Sequence, residues 1–281
     1  MPRYRYVVVD VFTDTPLSGN QLAVFTDARG LPEDVLQRLA RELNYSESSF
    51  VLPPEAGGHA RVRIFTPAQE LPFAGHPVLG TAFVLGTPLQ LPELRLETAK
   101  GIVPVRLERE EDRLVFGRME QPLPVLVPYE REQELLAALG VERSELPVEA
   151  YDNGAQHVYV ALGSEAEVAA LRPDLAGLER LPSFGVNCFA GQGSRWKTRM
   201  FWPASAVPED PATGSAAGPL ALHLARHGRI GFGEEIEISQ GAEIGRPSTL
   251  YARVDGSAAE LERVEVSGAA VVVARGEFRL P

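Results

Sequence analysis

In the stretch SESSFVLPP, Glu47 stands among serines at the mouth of a run that turns apolar through Phe50, Val51 and Leu52. A carboxyl group in such a place is either a solvated strand end or a placed acid/base. Further candidates fall in two loops of small residues. PFAGH carries Gly75 and His76, and EDPATGS carries Asp210, Gly214 and Ser215. Each loop precedes a segment that is apolar all round, PVLGTAFVLG from Pro77 and AAGPLALHLA from Ala216. A helix with no polar face is buried. Its first N–H groups have no intrahelical acceptor, and its dipole adds partial positive charge there. Two such helix starts facing each other would form a closed pocket for a small carboxylate. The glycines would let backbone approach the ligand closely. Glu47, His76 and Asp210 then supply a mobile proton carrier, an imidazole and a fixed carboxylate. That set suits proton removal beside a carboxylate and delivery elsewhere on the same molecule. Each residue also has a plainer reading: Ser215 as an N-cap, Asp210 as a cap or turn residue, His76 as a core histidine.

The elements that must position these residues are mostly strands. Tyr4 to Asp10, Gln21 to Phe25, Arg61 to Phe65, Ile102 to Leu107, His157 to Leu162, Arg199 to Trp202, Glu235 to Ser239, Thr249 to Val254 and Ala270 to Ala274 all read as strands. PEDVLQRLARELN and EREQELLAALG read as amphipathic surface helices. The chain also echoes itself. Arg63, Phe65, Pro67 and Ala68 match Arg199, Phe201, Pro203 and Ala204. After a short insertion, Glu70, Pro72, Gly75 and His76 match Glu209, Pro211, Gly214 and Ser215. SESSFV lines up with GVNCFA, which pairs Glu47 with Val186, and GNQLAVF is echoed more weakly by NGAQHVYV. A repeat of about half the chain predicts two similar domains, each a sheet wrapped around one buried helix.

Composition narrows the partners. The chain has 281 residues and a net charge of −11, which argues against nucleic acid or an anionic membrane. One cysteine, Cys188, cannot form an internal disulfide. No stretch approaches the ~18 apolar residues of a membrane span, and MPRYRYVVVDVF lacks the apolar core of a signal peptide. A cytoplasmic protein is expected. GQGSRW has Trp196 where a dinucleotide fingerprint needs its third glycine. GSAAG is no nucleophile elbow, and His223 and His227 lack the glutamate of a zinc protease. Neither cofactor nor metal is expected.

Six motifs together carry a family resemblance: VDVFTDTPLSGNQLAVF, LNYSESSFV, RIFTPAQELPFAGHPVLGTA, VNCFAGQG, EDPATGSAAGPLALHLARHG and QGAEIGRPS. They span most of the chain, which resembles the PhzF-like proteins of the diaminopimelate epimerase-fold superfamily. The resemblance implies an α+β fold of two pseudo-symmetric domains, each a barrel-like, mostly antiparallel sheet around a central helix. The expected bounds are 1–120 and 121–281, with the last strand crossing back to the first domain. It also implies a homodimer and a cofactor-independent isomerase acting on trans-2,3-dihydro-3-hydroxyanthranilate. By the family pattern Glu47 is the acid/base, and His76, Asp210 and Ser215 bind substrate and help the proton move. The expected catalytic residues are Glu47, His76 and Asp210. The expected binding residues are Ser46, Gly75, His76, Asp210, Gly214 and Ser215. Racemases of the superfamily carry a cysteine at each helix start. Here those places hold His76 and Ser215, so two-thiol chemistry is excluded. The competing readings are the same fold acting on another small acid, and a non-catalytic binding protein.

Overall fold

The computed structural model describes residues 3–280; Met1, Pro2 and Pro281, inside the expected domain bounds, lie outside the described residues. The first stretch of chain forms β1 (Arg3–Val11), β2 (Asn20–Phe25), α1 (Glu33–Leu43), β3 (Glu47–Leu52), β4 (Ala60–Phe65), β5 (Glu70–Leu71), α2 (Gly75–Leu89), β6 (Glu93–Thr98), β7 (Gly101–Glu110) and β8 (Arg113–Gln121). The second forms β9 (Val125–Val127), α3 (Glu132–Leu139), β10 (Glu149–Asp152), β11 (Gln156–Ala161), α4 (Glu165–Ala170), α5 (Leu175–Glu179), β12 (Gly185–Gln192), β13 (Arg195–Trp202), β14 (Val207–Asp210) and α6 (Gly214–Arg226). It ends with β15 (Glu235–Gln240), β16 (Ser248–Gly256), β17 (Leu261–Gly268) and β18 (Ala270–Arg279).

The strands run through one continuous, strongly curled sheet. One lobe follows the order β18-β1-β2-β3-β4-β6-β7-β8, with β5 beside β4. The other follows β9-β10-β11-β12-β13-β15-β16-β17, with β14 beside β13. β8 pairs with β17 and joins them. Parallel pairs fall at matching places in the two lobes, β2–β3 and β4–β6 against β11–β12 and β13–β15.

The two all-apolar segments are the central helices, with 11 of the 15 residues of α2 and 12 of the 13 of α6 buried. Val78, Leu79 and Ala82 of α2 share one core with Leu220, Ala221 and Leu224 of α6, so the lobes have a common interior. Outside the curled sheet, α1 covers Phe25, Phe50 and Phe65, while α3, α4 and α5 cover Val158, Val186 and Cys188. The short helices α4 and α5 were not expected; they are too short to show a helical period.

The internal repeat is one physical device used twice. In β4, Arg63 donates through Nε and Nη2 to the Glu70 carboxylate at 2.7 and 2.6 Å and lies over the Phe65 ring. In β13, Arg199 holds Glu209 at 2.8 and 2.7 Å and lies over Phe201. A planar guanidinium matches a carboxylate bidentately. Each pair fixes the strand just before a helix-start loop. A buried Asp10 accepts from Arg246 at 2.7 Å and from the Leu17 N–H at 2.7 Å. Arg246 also donates to the Gly19 and Ser18 carbonyls at 2.9 and 2.7 Å. The QGAEIGRPS motif thereby pins the turn that delivers Asn20.

Candidate active site

The central helices meet head to head. A Cβ placed on Gly75 would lie 2.4 Å from the Gly214 carbonyl carbon and 2.5 Å from the Ser215 nitrogen. One on Gly214 would lie 3.0 Å from the His76 nitrogen. Glycine at both first positions is what lets the backbones touch, and both helices begin two residues earlier than their apolar runs. The first-turn N–H groups of Gly75, His76, Gly214 and Ser215 have no intrahelical acceptors. Two positive helix ends therefore converge on one point. The start of α6 is braced by side chains. Pro219 has no N–H for the Ser215 carbonyl, which accepts instead from Asn153 Nδ2 at 2.9 Å. Gln121 Nε2 donates to the Gly214 carbonyl at 2.8 Å. Phe12, buried and at a positive φ of 63°, sets its ring against Gly214.

The predicted side chains gather around this junction. Glu47, 9% exposed, is the first residue of β3, and its Oε2 lies 3.5 Å from His76 Nε2. Neither atom has a hydrogen-bond partner in the protein. His76 is 3% exposed, Asp210 4% and Ser215 5%, so bulk water is excluded from all four. Asp210 ends β14 and accepts from Thr213 Oγ1 at 2.7 Å and Asn20 Nδ2 at 2.8 Å; the half-buried Ser46 hydroxyl also supports its charge. The Asn20 amide nitrogen faces two further acceptors, the Ala212 carbonyl at 3.0 Å and His76 Nδ1 at 3.2 Å, and so links the lobes. Behind Asp210, Gln240 donates to its carbonyl at 2.8 Å and to Thr213 Oγ1 at 2.9 Å.

Electrostatics separate the two carboxyls. Burial raises Glu47 well above the usual 4.5, and the nearby Asp210 charge raises it further. Burial also lifts Asp210, to about 6, against the hydrogen bonds from Thr213, Ser46 and Asn20 that favour its ionised form. Both carboxyls are thus pushed toward their protonated forms, Glu47 by burial and the facing Asp210 charge together. Burial pushes His76 down to about 3, so its imidazole is neutral. The site thus offers a carboxyl poised as acid or base, a neutral imidazole, a fixed anion and an anion cradle.

One expected match is off by a residue. Phe50 lies opposite Arg63 and Cys188 opposite Arg199, and these arginines are counterparts. Glu47 therefore corresponds to Gly185, not Val186. Val186 points outward with Cys188 and Phe201. Side chains alternate along a strand, so a one-residue slip changes the face. Neither residue is an acid, and the second lobe has no carboxyl at the place of Glu47.

Asn20, His157, Asn187, Thr213 and Gln240 were missed. His157 Nε2 lies 2.9 Å from Ser215 Oγ. The signal that singled out Glu47, a polar residue at the mouth of an apolar strand, also marks Asn20 and His157 in the two echoed segments. At the far end of α6, Glu149, His223 and His227 bring three possible metal-ligand atoms within 4.8 Å of one another. Glu149 Oε2 there already accepts from Tyr151 at 2.6 Å and Arg226 at 2.9 Å, and lies 3.2 and 3.1 Å from His223 and His227. With a guanidinium, a phenol and two imidazoles gathered on one carboxylate oxygen, the group clamps the helix end.

Two lobes of curled sheet, each around a helix whose start meets its counterpart across a buried carboxyl, define a diaminopimelate epimerase-like fold. The solved hydroxyproline epimerase of Agrobacterium vitis shares it at a TM-score of 0.66 and 14% identity, covering 98% of this chain and 92% of that one. The chain belongs to the phenazine biosynthesis-like protein family, PhzC-PhzF, which it matches over residues 9–276. It is 54% identical over 277 residues to the trans-2,3-dihydro-3-hydroxyanthranilate isomerase of Pseudomonas aeruginosa, covering 99% of this chain and 100% of that protein. A PhzF-family phenazine biosynthesis protein of Bacillus anthracis superposes with a TM-score of 0.86 at 26% identity, over 100% of both chains. Among the described residues no helix is long and apolar enough to cross a membrane.

Proposed function

We propose that this protein is a cofactor-independent trans-2,3-dihydro-3-hydroxyanthranilate isomerase of phenazine biosynthesis, with Glu47 as its one mobile proton carrier. The observation that carries the mechanism is the pair of buried, unpartnered atoms Glu47 Oε2 and His76 Nε2, 3.5 Å apart at the junction of the two helix starts. The substrate is that of the P. aeruginosa relative, similar along the whole chain.

The first-turn N–H groups of α2 and α6 and the Ser215 hydroxyl hold the substrate carboxylate. Asp210 takes the amino group. An ammonium beside the two carboxyls favours their ionised forms and brings Glu47 toward the base state. Glu47 then removes the proton from the hydroxyl-bearing carbon, next to the neutral His76. The same carboxyl returns that proton further along the conjugated system. One C–H bond breaks and another forms, and the resulting enol tautomerises to the ketone. With Gly185 at the counterpart of Glu47, no carboxyl faces it from the equivalent strand of the second lobe, and Asp210 is engaged with the amino group, which supports a carrier that both takes and returns the proton. We take residues 3–121 with β18 as one domain and 125–268 as the other, and the working form as a cytoplasmic homodimer.

The test follows the absorbance of trans-2,3-dihydro-3-hydroxyanthranilate and the fate of deuterium placed on its hydroxyl-bearing carbon. The wild type is expected to convert it and to carry part of the label to the new C–H. Glu47→Gln should be slower by about 10²–10⁴-fold. A wild type that leaves the compound unchanged sinks the assignment. Turnover retained by Glu47→Gln removes Glu47 from its role.

A further inference from the structure

His157 is fully buried on β11, and the proton transfer above does not use it. Its Nδ1 lies 3.3 Å from Asn187 Nδ2, and that amide nitrogen also donates to the Gly185 carbonyl at 2.9 Å. The carbonyl contact fixes which end of the Asn187 amide faces the ring. An amide nitrogen only donates, so Nδ1 accepts, and the neutral imidazole carries its proton on Nε2. Nε2–H then donates to Ser215 Oγ, 2.9 Å away. The serine hydroxyl is left to give its own hydrogen elsewhere, and Ser215 stands at the start of α6, where the two helix ends converge. Gly185 makes this possible, since a Cβ there would lie 2.5 Å from His157 Nδ1. The imidazole thus occupies the space beside the counterpart of Glu47. Burial holds His157 at a pKa of about 3, so the ring stays neutral in the working range.

We infer that His157, oriented by Asn187, is a positioning residue that makes the Ser215 hydroxyl a fixed donor to the substrate carboxylate. The inference rests on the reading of Ser215 as a carboxylate ligand. In this arrangement the second lobe adds a fixed hydroxyl donor to the N–H groups that both helix starts offer the anion, while the first lobe moves the proton.

Steady-state kinetics on trans-2,3-dihydro-3-hydroxyanthranilate test it. His157→Leu should raise KM roughly tenfold or more and change kcat by less than about threefold, the pattern of lost uniform binding. His157→Gln, which can place an N–H near the position of Nε2, should restore most of the affinity. In a Ser215→Ala background, His157→Leu should add nothing to KM. Asn187→Asp nearly conserves volume but accepts a proton from Nδ1. It should move the ring proton off Nε2 and raise KM as His157→Leu does. Nitrogen-15 NMR of the ring should find the proton on Nε2 in the wild type and on Nδ1 in Asn187→Asp. A wild-type proton on Nδ1 overturns the inference, as does a KM penalty that persists without the Ser215 hydroxyl. A raised KM in Ser215→Ala with unaffected His157 and Asn187 variants overturns this inference alone. An unchanged KM in Ser215→Ala overturns the Ser215 reading itself.

Discussion

Glu47 is surrounded by groups that penalise its charge: burial first, then the negative Asp210. Its ordinary value of 4.5 applies in the unfolded chain, while the folded chain holds it well higher. Between those two values the native state binds more protons than the unfolded one, so raising the pH through that window erodes stability. Asp210, lifted from 3.8 to about 6, acts in the same direction. Glu47→Gln keeps the shape and cannot ionise. It should melt above the wild type at pH 8, by about 2–4 °C for each kcal/mol relieved, with the gap closing at or below pH 4.5. Scanning calorimetry across pH checks this; a wild type as stable as the variant at pH 8 removes the electrostatic account. At this scale the gathering of Glu47, His76, Asp210 and Ser215 was legible because three of them flank the two repeated helix-start loops and Glu47 heads an apolar strand. Asn20, His157 and Asn187 were not. An amide or imidazole heading an apolar strand says nothing about which atom it meets on another strand, and the Val186 slip shows how far one residue of register matters.

The central helices are the elements that the chain announces most clearly, since neither has a polar face to leave in water. Their starts were legible from the repeated glycine and hydroxyl or imidazole pair. The groups that anchor their ends were not, because those groups lie far away in the chain. Arg109 donates to the Gly86 carbonyl at 2.6 Å near the end of α2. Glu149, on β10, collects Tyr151 and Arg226 and lies against His223 and His227 at the end of α6. Nothing near His223 in sequence points to Glu149. Removing that carboxylate leaves a partly buried guanidinium and a buried imidazole to share the Tyr151 hydroxyl, 2.7 Å from Arg226 Nη1 and 3.2 Å from His223 Nδ1. Glu149→Leu should lower stability by about 2–3 kcal/mol, less than a fully buried pair because Arg226 can still reach water. With 13 residues in α6, the clamp sits about 18 Å from the helix start, so kcat/KM at 25 °C should stay within about twofold. Thermal melts and kinetics on one preparation decide it. A collapse of kcat/KM at unchanged stability would show that the clamp sets the geometry of the site rather than the strength of the fold.

Across the whole molecule, the two lobes share a design but differ in how the chain completes them. The second is contiguous, from β9 to β17. The first begins with β1, whose outer edge is paired by β18 from the other end of the sequence. β18 pairs with β1 along its whole length, from Arg3 opposite Arg279 to Val11 opposite Ala270. Without that partner the valine-rich β1 is an open edge, a ready template for association between chains. A fragment of residues 1–121, with the outer edges of both β1 and β8 unpaired, should therefore aggregate, whereas residues 122–268, which lose only β8 beside β17, should aggregate less at the same concentration. Because Arg3 lies beside Arg279, a short linker can bridge these two strand ends. A permuted fragment running from 269 to 281, through that linker, and on to 121 should regain solubility and strand-like circular dichroism. The permuted fragment is the discriminating arm. It contains the same first-lobe residues as the failing one and differs only in supplying the missing strand. If residues 1–121 alone give a dispersed spectrum at the concentration used, the closing strand is dispensable and the division into a contiguous and a discontiguous lobe has no energetic meaning.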